Sequence, residues 1–306
     1  MKRERYDLVV IGAGSGGFAA ARTARDLDVN VALVDHGPLG GLCILRGCMP
    51  SKALIASSDA VGDIETFKEL GVNAERVTVD FDYIMKRKAE LIGGFADYRI
   101  EGIEEFPLYS GRAKFLTDTS VQVGDDVILE ARKFIIATGS VVAPAEAVHG
   151  LVETGYIDSD GALEIPKLPK SMVVLGGGYI GCELGQFFAR MGLKVTMVLR
   201  SRHLLSTEDH DLGDALTAYY RADGIEVRTE SEICRVEKRD DQKAVIIKHG
   251  GIEGDVVADE ILYCLGRVPN VCGMNLDEIG VPCHHITGID VDDYLQTCNP
   301  NIYAIG

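Results

Sequence analysis

Two cysteines, Cys43 and Cys48, are the residues of this 306-residue chain whose type and spacing are best suited to chemistry. Two thiols this close along the chain can interconvert between a dithiol and a disulfide. On an ideal α-helix their Cα atoms would lie roughly 8 to 9 Å apart, which exceeds the reach of a relaxed disulfide. A bridge therefore requires a distorted helical turn, and Gly47 gives the backbone that freedom. The alternative is a pair of buried, permanently reduced cysteines.

Two glycine-rich turns, one before this pair and one later, share the same context. Each follows a short apolar strand, opens an apolar-periodic helix and leads to a second short strand, so the chain contains an internal repeat. The first glycine permits a tight bend, the second lets a pyrophosphate approach backbone N–H groups, and the third allows close packing of helix on strand. In this context the pattern predicts two dinucleotide sites, formed by Gly12, Gly14 and Gly17 and by Gly176, Gly178 and Gly181.

The residues that end the second strand of each repeat predict different ribose contacts. Asp35 can accept hydrogen bonds from ribose hydroxyls, although it is also suited to a surface turn. Leu199 holds the corresponding place in the second repeat and is followed by Arg200 and Arg202, which can clamp a 2′-phosphate or simply solvate a loop. This difference favours NADPH over NADH. Tyr179, inside the second turn, is suited either to covering a flavin ring or to packing.

The remaining pattern predicts helices and short strands typical of an α/β protein. A helix is expected around residues 83–97. The expected strands, besides those of the repeats, cover residues 108–115, 120–123, 127–129, 225–229, 233–238, 244–248 and 260–264.

Composition excludes several classes of function. The formal net charge of −16 argues against nucleic acid or an anionic membrane as a partner. The other six cysteines lack metal-ligand spacing, so we expect no metal site and mostly packing roles for Cys182, Cys234, Cys264, Cys272, Cys283 and Cys298. No stretch is long enough to span a bilayer, and we expect a cytoplasmic protein in a reducing environment, where a persistent disulfide is usually catalytic.

With these motifs in place, the chain resembles the class I pyridine nucleotide-disulfide oxidoreductases, which include dihydrolipoamide dehydrogenase, glutathione reductase and mercuric reductase. The resemblance covers nearly the whole chain and rests on residues 12–17, 43–52, 137–139, 176–183, 266–270 and 302–306. It implies two Rossmann-like three-layer dinucleotide-binding domains, the second inserted into the first. The implied ranges are an FAD-binding domain at 1–148, an NAD(P)-binding domain at 149–278 and a truncated return segment of the FAD domain at 279–306.

The resemblance also implies a relay of electrons between NAD(P)H, FAD, the Cys43–Cys48 disulfide and a disulfide or dithiol substrate. Cys48 corresponds to the thiol that contacts the flavin and Cys43 to the thiol that attacks the substrate. Lys52 corresponds to a residue near the flavin that pairs with Glu183, placing a positive charge where reduced flavin accumulates negative charge. The resemblance assigns further cofactor-binding positions to Ala137, Thr138, Gly139, Gly266 and Arg267.

Departures from the family pattern leave the substrate open. Leu42 stands where the family usually has threonine, and the sequence stops before the family's flavin-binding aspartate and its dimerisation domain, which carries a His-Glu acid-base pair. We expect His284 and His285 to be surface residues. We expect a homodimer for the natural protein and a monomer or weak dimer for this polypeptide.

Dihydrolipoamide dehydrogenase is the commonest activity of the family and is therefore the first hypothesis for this chain. For the nucleotide of this chain we expect NADP, with NAD as the alternative. Other hypotheses are a mercuric or glutathione-type reductase using NADPH, a non-catalytic FAD- and NADP-binding fragment, and a flavoprotein that passes hydride to quinone or oxygen.

Overall fold

A computed structural model describes residues 1–72 and 77–306 of the chain. Its elements from the N-terminus to the second glycine turn are β1 Lys2–Ile11, α1 Ser15–Asp26, β2 Val31–Asp35, α2 Gly41–Leu45, α3 Cys48–Glu69, α4 Phe81–Glu104, β3 Leu108–Ser110, β4 Ala113–Thr117, β5 Ser120–Val123, β6 Val127–Ile136, β7 Ser140–Val142, α5 Leu151–Thr154, α6 Ser159–Leu163 and β8 Ser171–Leu175.

The elements that follow the second glycine turn are α7 Tyr179–Arg190, β9 Lys194–Val198, α8 His210–Ala222, β10 Glu226–Arg228, β11 Ser231–Arg239, β12 Gln242–His249, β13 Ile252–Ala258, β14 Glu260–Tyr263, β15 Arg267–Pro269, β16 Cys283–His284, β17 Gly288–Ile289 and β18 Ile302–Ala304.

The chain divides into two compact units, and the sequence of the second is inserted into that of the first. Unit 1 contains residues 1–49, 91–141 and 267–306, and unit 2 contains residues 50–90 and 142–266. The functional domain ranges expected from the sequence remain a prediction.

Unit 1 is built on one large sheet with the strand order β3-β2-β1-β6-β5-β4, and β18 pairs with the C-terminal half of β6. The strands β3, β2, β1, β6 and β18 run parallel, whereas β4 and β5 form an antiparallel extension. Side chains of β1 alternate between two cores, as a period of two requires. Leu8 and Val10 pack with α1, while Val9 and Ile11 pack on the opposite face with residues such as Val271 and Ile302.

Unit 2 is built on a four-stranded parallel sheet with the order β10-β9-β8-β14. Met172 and Val174 of β8 pack towards α7, whose Phe187 and Phe188 are fully buried. The alternate residue Val173 packs against the antiparallel meander β11-β12-β13. The strand β8 is therefore covered on both faces, which explains its continuous apolar sequence.

The prediction of an α/β fold with parallel sheets around two dinucleotide turns is confirmed. The single strand predicted at residues 108–115 is wrong. The structure has two strands there, β3 and β4, because Gly111 adopts φ +148 and donates its N–H to the carbonyl of Asp35. The predicted strand at 127–129 continues to Ile136, and the predicted helix at 83–97 extends from Phe81 to Glu104.

Within residues 1–72 and 77–306, none of the helices combines the length and the hydropathy needed to cross a lipid bilayer.

Candidate active site

The two cysteines flank a break between two helices. Cys43 belongs to the short helix α2 and Cys48 is the first residue of α3. Between them, Arg46 leaves helical geometry at φ −143 and ψ 19. A side chain at Gly47 would place its Cβ 3.0 Å from the Leu42 carbonyl oxygen, so glycine allows α3 to begin directly against α2. The predicted distortion is present, and it brings the two sulfur atoms within hydrogen-bond distance.

The structure holds both thiols in the reduced form, with Cys43 half-buried and Cys48 exposed. Burial raises the pKa of the Cys43 thiol, and its hydrogen bond with Cys48 raises that pKa further. A hydrogen bond with the Ser15 hydroxyl acts in the opposite direction. Cys43 is therefore a protonated thiol here, and it needs a base before it can act as a nucleophile.

The first glycine turn forms a cradle made of backbone. Gly12 adopts φ +103, and a Cβ there would lie 2.3 Å from the carbonyl oxygen of Ala137. A Cβ at Gly17 would lie 1.8 Å from the carbonyl oxygen of Gly12, so α1 packs directly on the turn. Gly14 is the N-cap residue of α1. Gly41, at φ +79, lies so close to it that a Cβ at Gly41 would be 2.5 Å from the Cα of Gly14. The cradle leaves the first N–H groups of α1 available to a pyrophosphate, so it fits the predicted FAD.

Asp35 ends β2 and organises this cradle. Its Oδ2 accepts the N–H of Ala13 and its Oδ1 accepts the N–H of Gly37, both at 2.7 Å. Each carboxylate oxygen keeps capacity for another hydrogen bond, so a ribose hydroxyl can still bind. The structure thus gives Asp35 a turn-stabilising role that is compatible with the predicted ribose contact.

The segment Ala137-Thr138-Gly139 follows β6 beside the first turn. Ala137 donates its N–H to Ile11 at 2.7 Å. Asn270 also holds this segment in place. Its backbone N–H donates to the Gly139 carbonyl at 2.9 Å, and its side-chain amide donates to the Thr138 carbonyl at 3.3 Å.

Arg267 fixes the strand that leaves this segment. Its guanidinium donates to the hydroxyl of Ser140 at 2.9 Å and to the carbonyl of Ser140 at 2.8 Å. Gly266 adopts φ +129 before it and accepts the N–H of Ala143. The geometry accordingly gives Arg267 a positioning contact, and the predicted cofactor contacts of both residues stay a prediction.

The second glycine turn repeats the cradle inside unit 2. Gly176 adopts φ +105, and a Cβ there would lie 2.5 Å from the carbonyl oxygen of Cys264. A Cβ at Gly181 would lie 2.5 Å from the carbonyl oxygen of Gly176, whereas the place of a Cβ at Gly178 is open. Tyr179 is the first residue of α7, and 58% of its surface is exposed. The open N-terminus of α7 fits the pyrophosphate of a second dinucleotide.

The loop after β9 carries the arginines predicted to bind a 2′-phosphate. Leu199 is buried, and both Arg200 and Arg202 are exposed. Arg202 lies 3.6 Å from a carboxylate oxygen of Asp214 on α8, a solvent-exposed pair that a phosphate can outcompete. The exposed positions of Arg200 and Arg202 are thus compatible with binding a 2′-phosphate. Leu199 holds the place that Asp35 has in the first repeat, so this position offers no carboxylate to a ribose.

Lys52 and Glu183 form an ion pair within unit 2, with Lys52 on the second turn of α3 and Glu183 on α7. Their side chains are 57% and 35% exposed, so the pair contributes little to stability. Spacing alone could not establish this contact between residues 131 positions apart.

Sequence reasoning missed three site contacts. Ser15 bonds the sulfur of Cys43, Gly41 touches Gly14, and Glu208 accepts a hydrogen bond from the Tyr179 hydroxyl. The Gly40-Gly41 pair in the sequence was a signal for a close backbone approach, because glycine has no side chain and readily adopts positive φ. Both residues do adopt positive φ in the structure. Ser15 and Glu208 carry no local signal, since their partners are distant along the chain.

Two glycine cradles and a cysteine pair at a helix break define a dinucleotide-binding protein with redox-capable thiols. The family described as pyridine nucleotide-disulphide oxidoreductase matches residues 6–306, and the chain belongs to this family. Members of this family use FAD and NAD(P)H, as the resemblance implied.

Relatives of known function share about a third of the sequence. The chain is 33% identical over 304 residues to a mercuric reductase of Bacillus cereus, covering 98% of this chain and 48% of that protein. It is 35% identical over 310 residues to a dihydrolipoyl dehydrogenase of Geobacillus stearothermophilus, covering 98% and 64%. The chain therefore spans about half to two thirds of the length of these relatives.

A solved structure shares the fold. A copper(II) complex of the HOCl-induced flavoprotein disulfide reductase RclA from Escherichia coli superimposes with a TM-score of 0.83 at 27% identity, covering 98% of this chain and 65% of that one.

Proposed function

We propose that this chain is the FAD- and nicotinamide-binding part of an NAD(P)H-dependent disulfide oxidoreductase. The observation that carries the proposal is the pair of adjacent thiols at the α2–α3 break, directly after a cradle that fits a dinucleotide. A helix break that serves packing alone has no reason to bring two sulfur atoms together beside such a cradle. The family relationship supports the same reading.

The cradle of Gly12, Gly14 and Gly17, with Asp35 beside it, would hold FAD, and a bound flavin would supply two-electron chemistry between a nicotinamide and a disulfide. The chain's own residues divide the thiol chemistry. Cys48 would be the thiol that faces the flavin, and the thiolate of Cys43 would attack a substrate disulfide to form a mixed disulfide and release one substrate thiol, after which Cys48 would displace the second thiol and close the Cys43–Cys48 disulfide. In sum, NAD(P)H, one proton and a substrate disulfide give NAD(P)⁺ and two substrate thiols, or the reverse.

Proton transfer at Cys43 follows from its environment. Because burial and Cys48 raise the pKa of this thiol, a base must remove its proton before the attack. We propose that the base belongs to a partner subunit of a homodimer, as in the family resembled. A reducing compartment such as the cytoplasm suits this cycle, because Cys43 and Cys48 must return to the dithiol form.

Unit 1 would hold FAD and unit 2 the nicotinamide nucleotide, since each contains one of the two cradles. Lys52, held by Glu183, would place its positive charge near the reduced flavin. Arg200 and Arg202 favour NADPH, and lipoamide-type disulfides are the first substrates to test.

The test is an anaerobic titration of the flavin-loaded protein with NADPH, and separately with NADH, followed by its visible spectrum. We expect a long-wavelength charge-transfer band on reduction, and more complete reduction by NADPH. The band should persist in Cys43→Ser and disappear in Cys48→Ser, because only Cys48 is assigned to the flavin. Cys272→Ser is the matched control, since Cys272 is an exposed thiol outside the site. Bleaching of the flavin without the band in the unsubstituted protein would contradict the proposal.

A second candidate is an NADPH-dependent reductase of a soft metal ion, with the ion as substrate. The arginines after Leu199 favour NADPH, and the similar proteins include a mercuric reductase and a copper(II) complex of RclA. NADPH oxidation that depends on Hg²⁺ or Cu²⁺ and is lost in Cys43→Ser would favour this candidate over a lipoamide-type substrate.

A further inference from the structure

The loop that joins β9 to α8, residues 199–209, lies against the second glycine turn. The N–H of Leu205 donates to the Gly177 carbonyl at 2.7 Å. A Cβ at Gly177 would lie 2.9 Å from the side chain of Leu204 and 3.0 Å from that of Leu199. The loop therefore touches the turn on both sides of its two arginines, at the place where the sequence predicts a 2′-phosphate.

One face of α8 forms a seat for this loop, made by His210, Gly213 and Thr217. These residues are three and four positions apart, so they lie on one side of the helix. The N–H of Leu204 donates to the Thr217 hydroxyl at 3.0 Å, and that hydroxyl donates to the Gly213 carbonyl at 2.7 Å. A Cβ at Gly213 would lie 2.0 Å from Nδ1 of His203, so the glycine lets the His203 ring lie directly on the helix backbone.

His203 is buried in this seat, with 3% of its surface exposed, and both of its ring nitrogens have partners. Its Nδ1 lies 2.7 Å from the Leu204 carbonyl oxygen, which only accepts hydrogen bonds, so Nδ1 carries a proton. Its Nε2 lies 2.8 Å from Nδ1 of His210. In the neutral pair, Nε2 of His203 is therefore the acceptor and Nδ1 of His210 the donor, which leaves a single arrangement of the protons.

The backbone next to the buried ring carries the two arginines. Arg202 directly precedes His203, and Ser201 separates it from Arg200. The Ser201 hydroxyl donates to the His203 carbonyl at 2.8 Å. On the other side, the Ser201 carbonyl accepts the N–H of Glu230 at 2.9 Å. The backbone that carries the arginines is thus tied to the residue that the seat on α8 holds.

We propose that the His203–His210 hydrogen bond holds the two arginines of the loop where a 2′-phosphate would bind, so that both histidines are positioning residues for NADP⁺. The inference rests on the proposed function and adds to it a nucleotide preference that is set from behind the arginines. A long side chain on a fixed backbone has less freedom to lose when it binds, and ordering costs free energy. NAD⁺ has no 2′-phosphate, so its affinity should not depend on this bond.

The test uses His210, because this residue is exposed and its replacement does not open the core. We expect His210→Ala to bind NADP⁺ about 3- to 10-fold more weakly and to change the Kd of NAD⁺ by less than about 2-fold, measured by calorimetry on the flavin-loaded protein. His210→Asn should restore most of the NADP⁺ affinity, because its amide can donate from a place close to that of Nδ1. His149→Ala is the matched control, since His149 is an exposed histidine of the same unit, and it should leave both Kd values unchanged.

Several results would overturn the inference. They are equal weakening of both nucleotides by His210→Ala, an unchanged Kd for NADP⁺, no recovery in His210→Asn, and NAD⁺ binding as tight as NADP⁺ binding in the unsubstituted protein. Failure of the unsubstituted protein to bind either nucleotide, with no flavin reduction by NADPH or NADH, would instead overturn the proposed function.

A variant of the buried histidine tests whether both residues act through one bond. His203→Asn keeps a donor for the Leu204 carbonyl and loses the contact with His210. Added to His210→Ala, it should weaken NADP⁺ binding no further, because both changes remove the same bond. Additive losses in the double variant would show that the two histidines act separately and would contradict the inference.

The ring nitrogens give a second readout, which a general loss of stability would not move. In the NMR spectrum of protein with isotope-labelled histidine, we expect the neutral His203 ring to carry its proton on Nδ1 and none on Nε2. The signal of Nε2 should shift in His210→Ala, where its hydrogen bond is lost, and should stay in place in His149→Ala. A proton on Nε2 of His203, or a signal that ignores His210, would contradict the positioning bond.

Discussion

At the scale of single residues, burial separates the eight cysteines into groups with different chemistry. Cys182 packs in the core of unit 2, and Cys234, Cys264 and Cys283 are half-buried, which agrees with the packing roles expected from the sequence. Cys272 and Cys298 are exposed, and the sequence could not single them out, because spacing along the chain carries no information about depth.

The buried thiol of Cys182 predicts a loss of stability at alkaline pH. Burial raises its pKa from 9.0 to about 12, so the unfolded chain loses this proton first as the pH rises. The contribution of the protonated Cys182 thiol to the free energy of unfolding is fully present below pH 9. It declines by about 1.4 kcal/mol per pH unit up to about pH 12. We expect the free energy of unfolding, measured with urea between pH 7 and pH 10.5, to fall less steeply in Cys182→Ala. Equal pH slopes would contradict this assignment.

At the scale of elements, the strongest predictions came from patterns that have a local physical cause. The two glycine turns were predictable because their glycines solve steric problems within a few residues of the turn. The split between β3 and β4 was not, because Gly111 bends the strand through a bond to Asp35 on another strand. The contacts Lys52–Glu183 and Tyr179–Glu208 likewise depend on tertiary packing that no local pattern encodes.

The first cradle predicts a sharp difference between two neighbouring glycines of α1. A Cβ at Gly17 would lie 1.8 Å from a backbone oxygen, whereas one at Gly16 meets only the flexible end of Ile305 at 3.3 Å. We expect Gly17→Ala to destabilise unit 1 by at least about 3 kcal/mol and to abolish flavin retention. Gly16→Ala should keep its flavin and change stability by less than about 1 kcal/mol. Urea unfolding and the flavin-to-protein absorbance ratio measure both effects, and similar losses in the two variants would contradict the cradle geometry.

At the scale of the whole molecule, the polypeptide passes between the two units several times. The chain passes between them at four places, after residues 49, 90, 141 and 266. Two of these places lie inside helices, since α3 contributes its first residues to unit 1 and α4 is divided after Glu90. Unfolding either unit would therefore fray helices that belong to the other.

This connectivity predicts a single cooperative unfolding transition that responds to both cofactors. A ligand present at about 100 times its Kd stabilises the native state by about 2.7 kcal/mol. In a cooperative chain, FAD and NADP⁺ should each raise the midpoint of the same calorimetric transition, by about 4 °C. Asp35→Ala should reduce the shift caused by FAD and leave the shift caused by NADP⁺, because Asp35 belongs to the cradle of unit 1 alone. Two separate transitions, with each cofactor moving only one of them, would show that the shared helices do not couple the units.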